Sequence, residues 1–555
     1  MLLTGAQVLI EVLWEQGVDV VFGYPGGSVI PIYDELYKAQ DRIYHCTTSH
    51  EQGASHAADG YARVSGRPGV VIATSGPGAT NLVTGIANAY LDSVPMVAIT
   101  GNVACAMIGR DSFQEVDITG VTMPITKHNY MVKDVKHLAS TLRSAFKLAI
   151  SGRPGPVLVD IPKDVQTNTV HYQREPAVQK TNSLNATQQE IDAAIKLVAQ
   201  AERPFIYAGG GVISADASPE LIELAERLDC PVGTSMMGRT ALPDNHPRNL
   251  GMTGMHGGYA ASKVLSMSDL IIAVGARFSD RATGDKQSYS VGHQVLHIDI
   301  DPAEIGKNIR EDCSVVGDVK HVLRQMLNAG VQRRPGNWFE QVRKVADAPD
   351  SRLNMPEDEL NPQTAISAVR ARLQDDDVIA TDVGQHQLWT AQYYAFERPR
   401  TLVTSGGLGA MGFGMGAAIG ACFARGKKRT VLFTSDGSFH MNLAEMATAV
   451  SNELPLLVVL LNNQALGMVR QWQTLFYECR YSNTSLQRKT DFVALADAFG
   501  AHGFRAHDLD SLNAALDAAL ALSAPALIDV AIDCDTKVLP MIPPGGTIND
   551  IIMKG

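Results

Sequence analysis

The chain has 555 residues, 45% hydrophobic and 19% charged, with a formal net charge of -11. At roughly 150 residues per domain that length suits three or four domains. The acidic balance argues against a nucleic-acid binder, which needs a basic surface, but leaves room for small anions met by local positive groups.

The N-terminal run "MLLTGAQVLIEVLWEQG" has no basic leader. Glu11 and Glu15 interrupt its apolar residues, so it reads as an amphipathic helix and not as a signal peptide. Short apolar runs then recur, each closed by Gly, Pro, Asp or Ser: "GVVIATSGPG", "PMVAITGN", "PVLVDIP", "PFIYAGGG", "DLIIAVGARF", "QVLHIDIDP", "DVIATDVG", "TVLFTSDG", "LPLLVVLLNN" and "ALIDVAIDCD". Helical stretches such as "NLVTGIANAYLDS" and "NLAEMATAVSNE" lie between many of them. Near-continuous Val/Ile/Leu strands alternating with helices predict parallel sheets covered on both faces, with ligands at the carboxyl edge. Two polar stretches, 171–189 and 335–362, read as linkers. The expected fold class is α/β: three doubly wound parallel-sheet domains over 1–170, 188–335 and 362–535, with a C-terminal tail at 536–555. No apolar run approaches the ~20 residues of a membrane span. The seven cysteines form no C-x-x-C pair, which fits a reducing compartment. A cytoplasmic protein without membrane or nucleic-acid partners is expected.

The first and third blocks echo each other. "TSGPGATNLVTGIANAYLDSVPMVAITGN" (74–102) lies over "TSDGSFHMNLAEMATAVSNELPLLVVLLNN" (434–463) with a one-residue offset, so that strand, turn, helix, second strand and final Asn coincide. Gly76-Pro77 in the first becomes Asp436-Gly437 in the third. If the two apolar runs of the third block are neighbouring strands, Asp436 and Asn463 project from one edge. A charged and a neutral oxygen there suit a hard cation, and Gly437-Ser438 at the following helix N-terminus suit phosphate. The spacing predicts a Mg²⁺-diphosphate anchor; Asp-Gly alone is more often an ordinary turn.

This run resembles the thiamine-diphosphate (thiamine pyrophosphate) motif, with Ser435 in place of the first Gly of its G-D-G turn. The resemblance extends over nearly the whole chain. "FGYPGGSVIPIYDEL", "HEQGASHAADGYAR", "IGRDSFQEVD", "SGRPGPVLVDIPKDV", "GMHG", "GARFSDRATG", "TDVGQHQLW", "TSGGLGAMGFG" and "VRQWQTLFYECRYSN" stand in the order of the acetolactate synthase (acetohydroxyacid synthase) catalytic-subunit family. That resemblance implies decarboxylation of pyruvate and transfer of its two-carbon unit to pyruvate or 2-oxobutanoate, as in branched-chain amino-acid biosynthesis. The implied cofactors are thiamine diphosphate, Mg²⁺ and a structural FAD. The implied assembly is a homodimer or dimer of dimers, with a small regulatory subunit.

Residue by residue, the resemblance places the third metal contact on the carbonyl of Ala465 and the aminopyrimidine partner on Glu51. A carboxyl in a mostly apolar pocket can share a proton with a ring nitrogen; taken alone, such a Glu at a helix start is more often a surface acid. Val383, Gly384, Gln385 and His386 match a diphosphate-facing turn; Gly409 matches a carbonyl donor to the cofactor and Met411 an apolar prop beneath it. Arg277 matches the holder of the second acid's carboxylate, and Trp472 the ring selecting a longer acceptor. Gly27, Phe113, Gln114 and Lys163 match residues around the reaction space. Arg153, Gly209, Gly211, Thr234, His256, Gly275, Arg281, Asp299 and Asp318 match an FAD-binding set, with Ser279 replacing a usual Asp. The alternatives are another thiamine-diphosphate carboligase, a pyruvate oxidase of the same fold and a silent scaffold paralogue; Glu51 argues against a glyoxylate carboligase, which lacks that acid.

Overall fold

A computed structural model describes residues 1–180, 185–351 and 353–554. Residues 181–184 and 352, inside the two stretches read as linkers, lie outside the described residues.

The chain opens as expected. Thr4 caps the helix Gly5–Glu15 reciprocally with Gln7: the Gln7 N–H donates to Thr4 Oγ1 and the Thr4 N–H to Gln7 Oε1. Three six-stranded sheets follow, each parallel throughout. A small antiparallel pair joins Leu2–Thr4 to Thr169–His171.

With strands numbered within each block, the first and third sheets share one order, 2-1-3-4-6-5. The order reverses between strands one and three. The crevice there lies between Val20–Tyr24 and Gly69–Ala73 in the first sheet, and between Val378–Thr381 and Thr430–Ser435 in the third. Ligands of open α/β sheets sit in such crevices because the connections on either side diverge to opposite faces. The middle sheet reads 3-2-1-4-5-6, the dinucleotide-binding order, and reverses between Pro204–Ala208 and Leu270–Val274.

The outer blocks share one core. Helix Glu51–Ser65 of the first lies against Phe413–Ala424 of the third, with Ala54, Ala57, Ala417 and Ala421 in a single apolar cluster. The backbones touch because the crossing positions are glycines: a Cβ on Gly60 would sit 2.1 Å from the Ala417 carbonyl oxygen, and one on Gly420 1.8 Å from that of Ala57.

The stretch 335–362 is not all linker. Its first half forms the helix Trp338–Ala346. Trp338 and Val342, one helical turn apart, enter the core of the middle block, and Trp338 Nε1 donates to the Pro204 carbonyl at 2.9 Å. Glu340, Arg343 and Lys344 face water on the other side of this short amphipathic helix. Among the described residues no helix is long and apolar enough to cross a membrane.

Candidate active site

At the crevice of the third sheet, Ser435 pairs with Leu461 across adjacent strands, so Asp436 and the Asn462-Asn463 pair emerge side by side. Ser435 has φ -130° and ψ 167°, ordinary extended backbone, and it caps the helix Asp436–Asn442 through the Ser438 N–H. A side chain in place of Gly therefore costs nothing at this turn. Asp436 is 3% exposed, its Oδ1 is buried without a hydrogen-bond partner, and burial raises its carboxyl to about 6. An orphaned buried carboxylate oxygen is expensive unless a cation meets it. Asn463 Oδ1 accepts the Ala465 N–H at 3.2 Å, and its Nδ2 donates to Gln385 Oε1 at 3.3 Å. Ala465 is buried beside it. His440, which the sequence reading passed over, braces the turn through Nδ1, 2.6 Å from the Asp436 carbonyl.

Strand one of this sheet ends at the partner turn. Ser438 Oγ donates to the Val383 carbonyl at 3.0 Å, joining the two halves of the crevice. Gly384 has φ 151° and precedes the helix Gln385–Tyr393, whose N-terminus faces the same gap as that of Asp436–Asn442. His386 is buried, and burial lowers its imidazole to about 3; it is a neutral ring. The Gln385 side chain is committed internally, to Gln471 at 3.0 Å and Thr536 at 2.9 Å, so the group it offers the crevice is its backbone.

The glycine-dense loop 404–412 is held by residues whose part in holding it the motifs do not spell out. Asp382, raised by burial to about 6, accepts the N–H groups of Gly412 and Gly414 at 2.8 and 3.0 Å. Asp92, from the first block, accepts those of Gly406 and Gly407 at 3.1 and 2.7 Å while paired with Arg63. Ser405 donates to Asn88 at 2.6 Å. Between these ties Gly409 has φ 67° and stays exposed, and the Met411 Sδ–methyl end lies against Gly437.

The middle block opens on a cavity of about 460 Å³ that gathers most of the second residue set. Arg153, Gly211, His256, Gly275, Arg281, Asp299 and Asp318 line it, and so do Arg277, Gly409 and Trp472. Gly209 and Thr234 are buried behind the wall: a Cβ on Gly209 would meet the Gly275 carbonyl oxygen at 2.1 Å. The Tyr207 hydroxyl and His256 Nδ1, both on the lining, are buried without partners. Burial lowers His256 to about 4 and raises Asp299 to about 6. Arg153 donates to Ser93 and pairs with Glu304 at 2.8 Å, while Asp318 caps the helix Val319–Asn328. Arg277 has no carboxylate partner among the described residues. Arg281 lies 5.6 Å over the Trp472 ring.

Glu51 stands at the crevice of the first sheet, 9% exposed, and its Oε2 accepts from Asn81 Nδ2 at 2.9 Å. Gly27, Gln114 and Lys163 gather at the same carboxyl edge, Lys163 opening the helix after strand six and Gln114 packing its backbone on Gly76. Phe113 is 87% exposed. Among the described residues the Glu51 side chain bonds only within its own block, so the predicted residues form two groups in one chain: a cradle with its adjoining cavity, and the edge around Glu51.

The N-terminal TPP-binding, central and C-terminal TPP-binding domain models of thiamine pyrophosphate enzymes match residues 3–121, 191–326 and 382–530. A probable acetolactate synthase large subunit of Methanocaldococcus jannaschii is 43% identical over 99% of this chain and 95% of its own. The acetolactate synthase large subunit of Corynebacterium glutamicum is 44% identical over 99% and 90%. The isozyme 2 large subunit of Escherichia coli is 44% identical over the full length of both.

Proposed function

We infer the activity from a plain premise: this chain belongs to the acetolactate synthase large-subunit family of thiamine pyrophosphate enzymes. The proposed reaction decarboxylates pyruvate and joins the remaining two-carbon unit to a second 2-oxo acid, giving 2-acetolactate or 2-aceto-2-hydroxybutanoate. The observation that carries it is Arg277, a guanidinium without an ion-pair partner among the described residues, in a cavity it shares with Gly409 and Trp472. Its planar fork suits the carboxylate of the acceptor acid.

The orphaned Oδ1 of Asp436 fits a Mg²⁺ ion, with Asn463 Oδ1 and the Ala465 carbonyl as its other protein ligands. The helix N-termini at Gln385 and at Gly437-Ser438 fit the diphosphate oxygens. Val383, Gly384 and His386 shape the wall between them. Thiamine diphosphate, when bound, supplies the electron sink and, through its amino group, the base. Glu51 would share a proton with the cofactor's pyrimidine nitrogen, and the Gly409 carbonyl and Met411 would orient its rings. The unpartnered Tyr207 hydroxyl and His256 Nδ1, with the glycine pair at 209 and 211 against Gly275, fit a flavin dinucleotide along the middle crevice. Arg153, Thr234, Arg281, Asp299 and Asp318 complete that set. The carboligation has no net redox step, so FAD is structural here. Trp472 sets the room for the acceptor's side chain, and Gly27, Phe113, Gln114 and Lys163 close the reaction space.

The active centre is completed between two copies, in a homodimer or dimer of dimers: the Glu51 edge of one chain faces the cradle of the other. The exposed Phe113, 87% in solvent at that edge, supports this. The three units are a pyrimidine-binding block (1–170), an FAD-binding-like block (188–335) and a diphosphate block (362–535). The relatives' title "large subunit" supports a small regulatory partner, and seven unpaired cysteines fit a reducing cytoplasm.

The test incubates the purified protein with pyruvate, thiamine diphosphate and Mg²⁺, with and without 2-oxobutanoate, and identifies the acids by mass. Both branched hydroxy-oxo acids are expected. Acetate or acetyl phosphate with flavin reduction would instead identify an oxidase. Trp472→Leu should lower the 2-oxobutanoate-derived fraction about tenfold, the worth of one methylene contact.

A further inference from the structure

Glu445 is fully buried, 0% exposed, and belongs to neither the metal anchor nor the cavity. It opens the helix Glu445–Ser451, which follows the helix Asp436–Asn442 after Leu443 and Ala444. Its carboxylate reaches out of the third block into the first. Oε2 accepts the Ser49 N–H at 3.1 Å and the Thr448 hydroxyl at 2.6 Å; Oε1 accepts the His50 N–H at 3.0 Å. Ser49 and His50 are the two residues that lead into Glu51.

These bonds are not ordinary helix capping. The helix Glu51–Ser65 is capped locally, His50 Nδ1 accepting the Gln52 N–H at 3.0 Å. The N–H groups of Ser49 and His50 precede the first helical residue and are met across the domain boundary. The close approach depends on Gly53, where a Cβ would stand 2.1 Å from Glu445 Oε1. The same link is tied again by Ser49 Oγ, donating to the Ala444 carbonyl at 2.8 Å, and by the Tyr44 hydroxyl, donating to Asn452 at 2.7 Å. Burial pushes the Glu445 carboxyl up, against the bonds from Thr448, Ser49 and His50. From the opposite side Asn81 orients the Glu51 carboxylate itself.

We propose that Glu445 is a positioning residue for Glu51: by accepting the N–H groups of Ser49 and His50 it fixes the point from which the Glu51 carboxylate projects, without touching substrate or cofactor. This rests on the role given to Glu51 above. A carboxylate suits the task because its two oxygens accept from two backbone donors at once, whereas an amide offers one acceptor. Small displacements of a group that must meet a ring nitrogen are costly, about 100-fold for 1 Å.

The experiment uses the holoenzyme with thiamine diphosphate and Mg²⁺ and compares Glu445→Ala, Glu445→Gln, Glu51→Gln and the double variant Glu51→Gln/Glu445→Ala. It reads deuterium exchange at C2 of the bound cofactor by quenched-flow NMR, kcat and KM for pyruvate, and cofactor affinity by calorimetry. Glu445→Ala is expected to slow exchange and lower kcat by about 10–100-fold, with KM and cofactor affinity within about threefold. Glu445→Gln should fall between, since its amide oxygen keeps one donor, and it carries the test alone if the alanine variant does not fold. The double variant should exchange no more slowly than Glu51→Gln, because the two residues act as one unit. Wild-type exchange in the Glu445 variants, or an additive loss in the double variant, overturns the proposal. Wild-type exchange in Glu51→Gln overturns the reading of Glu51 itself; a failure confined to Glu445 leaves Glu51→Gln slow and its own variants fast.

Discussion

Strand four of the first sheet ends in Asn102 and strand four of the third in Asn462, and each donates to an aspartate on strand six. Asn102 Nδ2 meets Asp160 at 2.6 Å, and Asn462 Nδ2 meets Asp529 at 2.9 Å. The registers agree: Asp160 lies opposite Thr100 and Asp529 opposite Leu460, each two residues before its asparagine. The structural counterpart of Asn102 is therefore Asn462, which corrects the one-residue offset read from the sequence. Asn463 is particular to the third block, standing where the first has Val103. The turn after strand three differs as well. In the first sheet Gly76, at φ 60° and ψ -120°, precedes a helix that starts at Pro77; in the third the helix starts at Asp436 itself. A Cβ on Gly76 would press to 2.8–3.0 Å from Gln114. Two copies of one scaffold thus carry complementary chemistry, because a site at a sheet edge is written by a few turn residues while the core beneath stays the same.

The largest effect that tests this division is expected from Glu51→Gln, the first block's contribution. Product formation should drop by about 10²–10⁴-fold, the usual weight of a proton-handling carboxyl, with cofactor binding retained by calorimetry. Loss of cofactor binding in that variant would place Glu51 in the cradle and erase the contrast. Next comes Asp436→Ala, which should weaken Mg²⁺ binding by more than about 100-fold, since outer partners alone are worth 10–100-fold; metal titration of thermal stability reads it. Making the first turn resemble the third by Gly76→Asp should destabilise by about 1–3 kcal/mol through backbone strain and crowding, without creating a metal response. A lowered melting point that Mg²⁺ restores would refute the reason given for the glycine.

The smallest effect concerns the shared Asn–Asp pair. Burial raises the Asp160 carboxyl from 3.8 to about 6 despite bonds from Asn102 and Thr100. A raised carboxyl contributes stability that is present below pH about 4 and lost as pH rises through about 6. Asp160→Asn does not titrate, so its unfolding free energy, read by denaturant titration, should gain on the wild type across that window, no more steeply than about 1.4 kcal/mol per pH unit. A pH-independent difference would mean that the Asp160 carboxyl stays charged in the folded protein across that window.

By itself the sequence determined the parallel sheets, their separation into three α/β blocks and the Asp436 and Asn463 positions, because strand periodicity, glycine turns and motif spacing are local signals. It was silent where partners lie far apart in the chain. Asp92 holding the Gly406 loop, Asp382 under Gly412, and Glu445 meeting Ser49 span tens to hundreds of residues, and each looks like an ordinary acid in its own neighbourhood. The helix around Trp338 was hidden by charges that face water, and the Asn462 equivalence by a repeat that allows two alignments. Only packing decided these. Which buried donor meets which carboxylate depends on helices brought to backbone contact at Gly60 and Gly420, and the order of residues does not encode that proximity.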